Sequence, residues 1–432
     1  MINFGDFLCY NFLGGVVMEY DFGIIGSGPA GYTAALSAAA DGKRVVLFEK
    51  DFVGGVCLNR GCIPTKTMLH SAEIFETLAK SAECGVCVGK CELDFSKVVE
   101  RRKSVVEKLR SGLERSFKSA GVNLVNAEAK ILDKNTIGAN GEKYNCGQII
   151  AAVGSSPRKI NGLDYDHKYI LSSDDILSME TLPKSILIIG SGAIGIEFSR
   201  IFSAFGANVT LVELADNLLP LADVEVSKRI ERIFKSKGLK FYTKTSVEKI
   251  DKIACGIQAT LSNNETIEAE CVLLAIGRVP NDVEKLDGVT YIGDVAGSIQ
   301  LAHFASKQAL EKVIQIPFDQ TLVPSVVYGK PEIAWIGKRE QDLEEGTFQK
   351  GMIPITALAK SLCDDATDGM MKILVQDNKI VGAHIVSNEA SSLIQQLVIA
   401  MQTNTTVDEL KAVCFAHPTY SEGILDCLMR LK

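Results

Sequence analysis

Two glycine-rich segments of the same form, far apart in the chain, constrain the fold more than any other feature of this sequence. The first, Gly26-Ser27-Gly28-Pro29-Ala30-Gly31, follows the apolar run Asp21-Phe22-Gly23-Ile24-Ile25 and opens an Ala-rich stretch. Residues 44–49 (RVVLFE) then read as a second strand ending in Glu49. The second, Gly190-Ser191-Gly192-Ala193-Ile194-Gly195, lies between Ser185-Ile186-Leu187-Ile188-Ile189 and residues 208–213 (NVTLVE), which end in Glu213. In both copies the acid follows the first glycine at an offset of 23 residues. A single such motif is weak. Two copies, each between a predicted strand and helix with the acid at one offset, predict a duplicated βαβ unit.

The physics of the pattern is direct. The first glycine permits a tight turn, the second lets the backbone approach a pyrophosphate, and the third lets helix pack on strand. The helix N-terminus offers N–H groups and a positive dipole end to phosphates. Glu49 and Glu213 would accept ribose hydroxyls. Two ordinary Gly-rich turns are the plainer alternative, and the matched spacing argues against it. The sequence therefore predicts two dinucleotide sites, one on Gly26, Gly28, Pro29, Ala30 and Gly31, the other on Gly190, Gly192, Ala193, Ile194 and Gly195.

Composition narrows the partners. The 432 residues suffice for about three domains, and 47% apolar with 23% charged residues is globular. Lys+Arg 46 against Asp+Glu 53 gives a net charge of −7 without a basic block, which argues against nucleic acid or an anionic membrane surface. No uninterrupted apolar run reaches the roughly 18 residues of a membrane span. The twelve cysteines are mostly scattered singly, as in a reducing compartment, and a cytoplasmic location is expected. Residues 1–17 have neither a basic start nor a small-residue cleavage site. They are expected to be a disordered extension, with the functional chain starting at Met18.

Between the repeats, residues 67–80 and 95–119 carry helical spacing, the latter through Val98, Arg102 as a stem, Val105, Leu109, Leu113 and Phe117. Residues 122–150 alternate strand-like segments with turns at Asn135 and Asn140-Gly141. Residues 223–238 read as helix and 239–276 as strands. From about 319 the pattern changes: 322–337, 352–357 and 370–386 suggest an antiparallel sheet, followed by helices at 389–402, 406–413 and 421–430. That mix suits a separate α+β domain.

Residues 54–66 read GGVCLNRGCIPTK. In a regular helix, side chains five apart point about 140° away from each other. A disulfide between Cys57 and Cys62 therefore needs a distorted turn, for which Gly54, Gly55 and Gly61 supply the freedom. A zinc half-site and two buried thiols are the alternatives, and zinc would need two more ligands. Cys84, Cys87 and Cys91 form a second cluster without a close His and read as a turn with incidental thiols. No metal site is expected.

The segment GGVCLNRGCIPTK resembles the redox-active disulfide signature of the two-cysteine pyridine-nucleotide disulfide oxidoreductases, most nearly their dihydrolipoamide dehydrogenase branch. The likeness runs from about residue 20 to the C-terminus. It includes Val153-Gly154-Ser155, Ala275-Ile276-Gly277-Arg278, Ile292-Gly293-Asp294, Leu301-Ala302-His303 and His417-Pro418-Thr419-Tyr420-Ser421-Glu422. The resemblance implies an α/β fold with two Rossmann-like domains and a C-terminal α+β dimerisation domain. FAD would be bound by 18–153 with 279–318, NAD by 154–278, and the interface built by 319–432.

The resemblance also implies roles. FAD would meet the first glycine motif, Glu49, Ala127, Gly154, Asp294, Leu301, Ala302, His303 and Lys66. NAD would meet the second motif, Glu213 and Gly277. NAD rather than NADP is expected because a strand-end carboxylate would repel a 2′-phosphate, and Val212-Glu213-Leu214-Ala215 offers no arginine. Cys57 would be the thiol that meets substrate, Cys62 the thiol facing the flavin, and Glu197 the ion-pair partner of Lys66. His417, with Glu422, would be the base that deprotonates the attacking thiol. In such proteins this dyad comes from the other subunit, implying an obligate homodimer.

The implied reaction is reoxidation of dihydrolipoyl groups carried by a lipoylated partner in a 2-oxoacid dehydrogenase or glycine cleavage complex. Electrons would pass through the Cys57–Cys62 disulfide and FAD to NAD. A reductase of another disulfide and a non-catalytic scaffold retaining the fold are the competing readings. Three departures from the family pattern stand out. The connection from Asn281 to Asp294 is short where a strand-bearing segment is usual. Ala127 replaces a common glycine. Arg60 sits between the cysteines, either favouring the Cys57 thiolate or simply solvated.

Overall fold

The run Tyr20–Ile25 forms a strand buried on both faces, with Ile24 fully buried, which is why its apolar residues are continuous rather than alternating. In the computed structural model, which describes residues 19–160 and 162–432, this strand pairs in parallel with Val45–Glu49 and Glu142–Ala151. The expectations for residues 1–17 and a start at Met18 lie outside the described residues.

The chain divides into two units. The first holds the chain up to Val53, Leu113–Gly154 and Asp282–Ile316; the second holds Gly54–Gly112, Ser155–Asn281 and Pro317–Lys432. Against the expected domains of 18–153 with 279–318, 154–278 and 319–432, residues 54–112 here group with the second unit. The reason is packing: Met68, Leu69 and Ala72 share a core with Phe198, Ile201 and Phe202.

In the first unit the sheet order is Asn123–Asn126, Val45–Glu49, Tyr20–Ile25, Glu142–Ala151, Thr136–Ala139 and Ala129–Asp133, the last two added antiparallel. Helix Pro29–Ala40 packs by its alanines, Ala34, Ala35 and Ala38, in one core with Ala305 and Ala309 of helix Ala302–Ile314. The short 281–294 connection still carries a strand, Val289–Tyr291, paired in parallel with Glu142–Ala151. The shortening thus leaves a strand in this sheet.

In the second unit a five-stranded sheet runs Lys240–Tyr242, Asn208–Val212, Ser185–Ile189, Cys271–Leu274 and Ile170–Leu171. A three-stranded antiparallel sheet, Val247–Ile253, Gly256–Leu261 and Thr266–Ala269, follows the second repeat. The C-terminal sheet is antiparallel in the order Ser325–Val327, Glu332–Gly337, Lys379–Ser387, Met370–Gln376 and Gln349–Pro354. Helix Ala390–Gln402 lays Ala390, Leu393, Ile394 and Leu397 into the same core as Ile336, Ala383 and Ile385, the i, i+3, i+4, i+7 stripe of an amphipathic helix.

Two sequence expectations need correction. The helix predicted at 67–80 is Cys62–Ala79, so Cys62 opens it, and Gly55–Arg60 forms a separate short helix holding Cys57. In helix Phe95–Ala120, Leu109 is exposed at 44%, and Val106 is buried instead. The buried stripe runs in steps of four through Val98, Arg102 and Val106, which keeps it on one face of a 3.6-residue helix. Among the described residues no helix is long and apolar enough to cross a membrane.

The second unit also buries charge. Lys372 Nζ lies 2.6 Å from both Asp223 Oδ1 and Glu340 Oε2, with the Lys372 and Asp223 side chains fully buried. Asp223 is the N-cap of helix Val224–Ser236 and also accepts the Glu340 N–H at 2.9 Å. His384 stands beside it, Nε2 on the Lys338 carbonyl at 3.1 Å, and its Nδ1 has no partner among the described residues. A buried lysine and two carboxylates sharing hydrogen bonds satisfy the rule that buried charges are paired.

Candidate active site

The two fingerprints are geometric copies. Gly26 and Gly190 take φ +95° and +99°, a left-handed conformation open to glycine. Gly31 and Gly195 pack on the carbonyl oxygens of Gly26 and Gly190, where a Cβ would overlap them. Gly28 and Gly192 are the N-caps of helices Pro29–Ala40 and Ala193–Ala204, and neither helix has a side-chain cap. A Cβ on Gly192 would meet nothing within 4 Å. Both N-termini leave backbone N–H groups without a side-chain cap, as a pyrophosphate requires, so these cradles fit dinucleotides, and at Gly192 the approach is open.

The strand-end acids are held by a residue the sequence reading passed over. Glu49 Oε2 accepts the Ser27 N–H at 2.9 Å and its hydroxyl at 2.6 Å. Glu213 Oε2 accepts the same two groups of Ser191, both at 2.7 Å. Ser at the second position of both motifs was the available signal. The second acid oxygens accept the Asp51 and Ala215 N–H groups at 3.0 and 2.8 Å, fixing each buried carboxylate at its strand end.

The remaining expected dinucleotide contacts are placed as follows. Gly154 and Gly277 take φ +74° and +97°, with open space where a Cβ would stand. Asp294 lies in the turn Gly293–Ala296, and Leu301 is the N-cap of helix Ala302–Ile314, again without a side-chain cap, so Ala302 and His303 form its first turn. Ala127 is buried in a core with Ile25 and Phe48.

Cys57 and Cys62 stand as neighbouring thiols, not bridged. Gly61, between the short helix Gly55–Arg60 and the long helix Cys62–Ala79, takes φ −147° and ψ −111°, which breaks the helix and undoes the divergence a regular helix would impose. Cys57 is pushed well above the thiol range by its hydrogen bond to Cys62 and by burial. Cys62 is lowered to about 7, first by the hydrogen bond from Cys57 and then, against burial, by the Lys66 ammonium. The hydrogen bond from Cys57 and the Lys66 charge therefore favour ionisation at Cys62 over Cys57.

Lys66 lies one turn beyond Cys62 on the same helix and forms a two-point pair with Glu197, Nζ at 3.0 Å from Oε1 and 2.9 Å from Oε2. Glu197 is 4% exposed. Burial pulls the Lys66 ammonium down, but the charges of Glu197 and Cys62 outweigh it, and the net shift is upward. Tyr328, which the sequence reading did not single out, donates its backbone N–H to Glu197 Oε1 at 3.0 Å. Its ring centroid lies 4.6 Å from Lys66 Nζ.

His417 Nδ1 pairs with Glu422 Oε1 at 2.9 Å, leaving Nε2 outward on a side chain 71% exposed. The Thr419 N–H donates to Glu422 Oε2 at 2.9 Å. This hydrogen bond, then the one to His417, holds the Glu422 carboxyl below its usual range. The structure brings His417 to Glu422 and not to either cysteine. Arg60 Nε pairs with Asp174 at 3.6 Å. Cys84 closes a short 3-10 turn and Cys87 is exposed; the Cys84, Cys87 and Cys91 group is among no metal-binding cluster of the described residues.

The chain is similar to known proteins in sequence and in fold. The pyridine nucleotide-disulphide oxidoreductase family profile matches residues 20–291, and the dimerisation domain of that family matches residues 323–427. A Bacillus subtilis protein named dihydrolipoyl dehydrogenase is 35% identical over 94% of this chain and 96% of its own length. A Mycoplasma genitalium protein of the same name is 31% identical over 95% and 98%. A Vigna unguiculata protein named leghemoglobin reductase is 32% identical over 95% and 87%. The crystal structure of LpdA from Mycobacterium tuberculosis matches the fold with TM-score 0.87 and 24% identity, over 95% of this chain and 99% of that one.

Proposed function

This chain belongs to the pyridine nucleotide-disulphide oxidoreductase family, and we propose that within it the protein oxidises dihydrolipoyl groups carried on a partner protein, using FAD and NAD. The observation that carries this reading is the pair of neighbouring thiols, Cys57 and Cys62, brought together across the break at Gly61, with Lys66 one turn beyond Cys62 and paired to Glu197. That pair is the two-electron-reduced half of a dithiol–disulfide couple.

In the oxidised half, Cys57 and Cys62 are joined. A dihydrolipoyl thiol loses its proton to His417 and its sulfur attacks Cys57, releasing Cys62 as thiolate. The second dihydrolipoyl thiol attacks the mixed disulfide, lipoyl leaves with its own S–S bond, and Cys57 is freed with a proton. Two electrons have then moved from substrate to the cysteine pair. Glu422 orients the imidazole through Nδ1 and leaves Nε2 to face the substrate. Bound at Gly26–Gly31 and at Gly190–Gly195, FAD and NAD would supply a two-electron acceptor and a hydride acceptor.

The exposure of His417 and its lack of a bond to the cysteines support a homodimer in which a second copy supplies the base, in keeping with the matched dimerisation domain. The lipoyl partner is read as a subunit of a 2-oxoacid dehydrogenase or glycine cleavage assembly, acting in a reducing compartment such as the cytoplasm.

The test compares NADH formation from dihydrolipoamide and NAD with NADPH-driven reduction of glutathione disulfide. Turnover in the first, abolished in Cys57→Ser, is the expected result. Turnover only in the second would replace the substrate, and silence in both would return the protein to the scaffold reading.

A further inference from the structure

We propose that Arg200 is a positioning residue for the thiolate centre: it clamps the Tyr328 peptide so that Glu197 and Lys66 keep their places beside Cys62. The inference rests on reading Cys57 and Cys62 as the redox pair. It concerns a residue that touches neither cysteine nor Lys66.

The geometry is a two-point clamp from one helix. Glu197 and Arg200 lie one turn apart on Ala193–Ala204. Glu197 Oε1 accepts the Tyr328 N–H at 3.0 Å, and Arg200 Nη1 donates to the Tyr328 carbonyl at 2.8 Å. Both backbone groups of one residue are thus fixed by one helix face. The same residue lays its ring 4.6 Å from Lys66 Nζ.

Gly329 makes room for the clamp. It takes φ +122°, and a Cβ there would stand 2.6 Å from Arg200 Nη1 and 2.7 Å from Arg200 Cδ. A side chain at position 329 and the guanidinium at its observed place exclude each other.

Arg200 is half-buried as a residue, and the Nη2 end of its fork is buried. Arg200 is lowered to about 10 by burial, against the charges of Glu197, Glu76, Glu73 and Glu332. Its Nη2 has no hydrogen-bond partner among the described residues. Such a group is costly to hold and has one directional bond to show for it, the one to Tyr328.

The electrostatic consequence has a definite sign. Cys62 is faced by Cys57 from the preceding helix, Lys66 from its own, and Glu197 from the helix that bears Arg200, and Tyr328 lies over Lys66 from the turn before strand Glu332–Gly337. Glu197 opposes the Cys62 thiolate and Lys66 favours it. Losing Arg200 removes a cation near Glu197 and frees the N–H that Glu197 accepts. The carboxylate then bears more uncompensated charge, draws Lys66 to itself, and the thiolate is disfavoured.

The experiment is a pH titration of Cys62 alkylation in the reduced, flavin-loaded protein, alongside thermal unfolding. Arg200→Met keeps the apolar stem and removes the fork; Arg200→Lys keeps the charge and one donor. The expected result is an upward shift of the alkylation midpoint in Arg200→Met, largely recovered in Arg200→Lys. Gly329→Ala reaches the same clamp from the other side, with the arginine intact, and should also shift it upward; it decides the matter if Arg200→Met does not fold. Lowered melting with an unchanged midpoint in the folded variants would overturn the proposal and leave Arg200 a packing residue. If unaltered protein shows no Cys62 thiolate near neutrality, the redox-pair reading fails first, and that outcome is visible without any variant.

Discussion

Gly195 packs so closely on the carbonyl oxygen of Gly190 that no side chain fits between them, and Gly31 stands in the same relation to Gly26. Gly192, three residues earlier, faces open space and has φ −66°, ψ −174°, which any residue tolerates. The two glycines of one motif therefore serve different ends, one for the fold and one for the ligand.

Gly195→Ala is expected to destabilise the protein by about 1–3 kcal/mol or more, because backbone must move to admit the methyl group. Gly192→Ala is expected to leave thermal unfolding unchanged and to weaken NAD binding by about tenfold or more, roughly the worth of one good contact. Calorimetric titration with NAD and a melting curve separate the two. Equal effects of both variants on both measurements would contradict the assignment of the open face to the pyrophosphate.

Lys66→Met should move the Cys62 thiolate midpoint upward from about 7, by roughly one unit or more, since a near cation favours the charged form. It also removes the ion-pair partner of the buried Glu197 carboxylate, for a loss of about 3–5 kcal/mol in stability. Thiolate absorbance of the reduced protein against pH reads the first effect and denaturant unfolding the second. A midpoint that does not move would mean that the Cys57 hydrogen bond alone sets the thiolate.

Replacing His417 by Gln should lower turnover of dihydrolipoamide by about 10²–10⁴-fold, the usual range for a lost general base. Glu422→Gln should cost a comparable factor, because an amide that keeps accepting the Thr419 N–H turns its NH2 toward Nδ1, and the imidazole then carries its proton on Nε2, where it cannot act as base. Binding of FAD should be unaffected in both. Mixing His417→Gln with Cys57→Ser subunits tests the shared site: a heterodimer restores one intact pairing of Cys57 with His417 only if the dyad acts across the dimer.

The buried cluster around Lys372 gives a stability signature. His384 is lowered from 6.5 to about 4, first by burial, so it is neutral in the folded state at pH 6. The unfolded chain binds a proton there between those values and the folded chain does not. Stability therefore falls as pH drops from 6.5 toward 4, by on the order of 3 kcal/mol in total from this group. His384→Asn should flatten that part of the curve. Lys372→Met leaves Asp223 and Glu340 facing each other and should cost about 3–5 kcal/mol at neutral pH.

Much of this was legible in the chain because local rules carried it. The repeated strand–glycine–helix–acid pattern requires only backbone sterics and short-range spacing, and its two copies adopt matching φ and ψ. The C-terminal helix predicted at 389–402 is Ala390–Gln402, since its apolar stripe has helical period. The stripe of helix Phe95–Ala120 was misread at Leu109, where two interleaved four-residue series were available and only packing chose between them.

By itself the sequence determined which groups the protein can use: two glycine cradles with their acids, two cysteines five positions apart, and a histidine with a carboxylate near the C-terminus. It also determined their local geometry where glycine or helix period left one solution. Tertiary structure alone decided how those groups are tuned. Glu197 reaches Lys66 across 131 positions, Tyr328 reaches Glu197 across 131 more, and Lys372 meets Asp223 across 149. No local rule encodes such pairs. Charge and hydrogen bonding act over a few ångströms of space, and only the packed chain sets which residues stand that close, and in how little water.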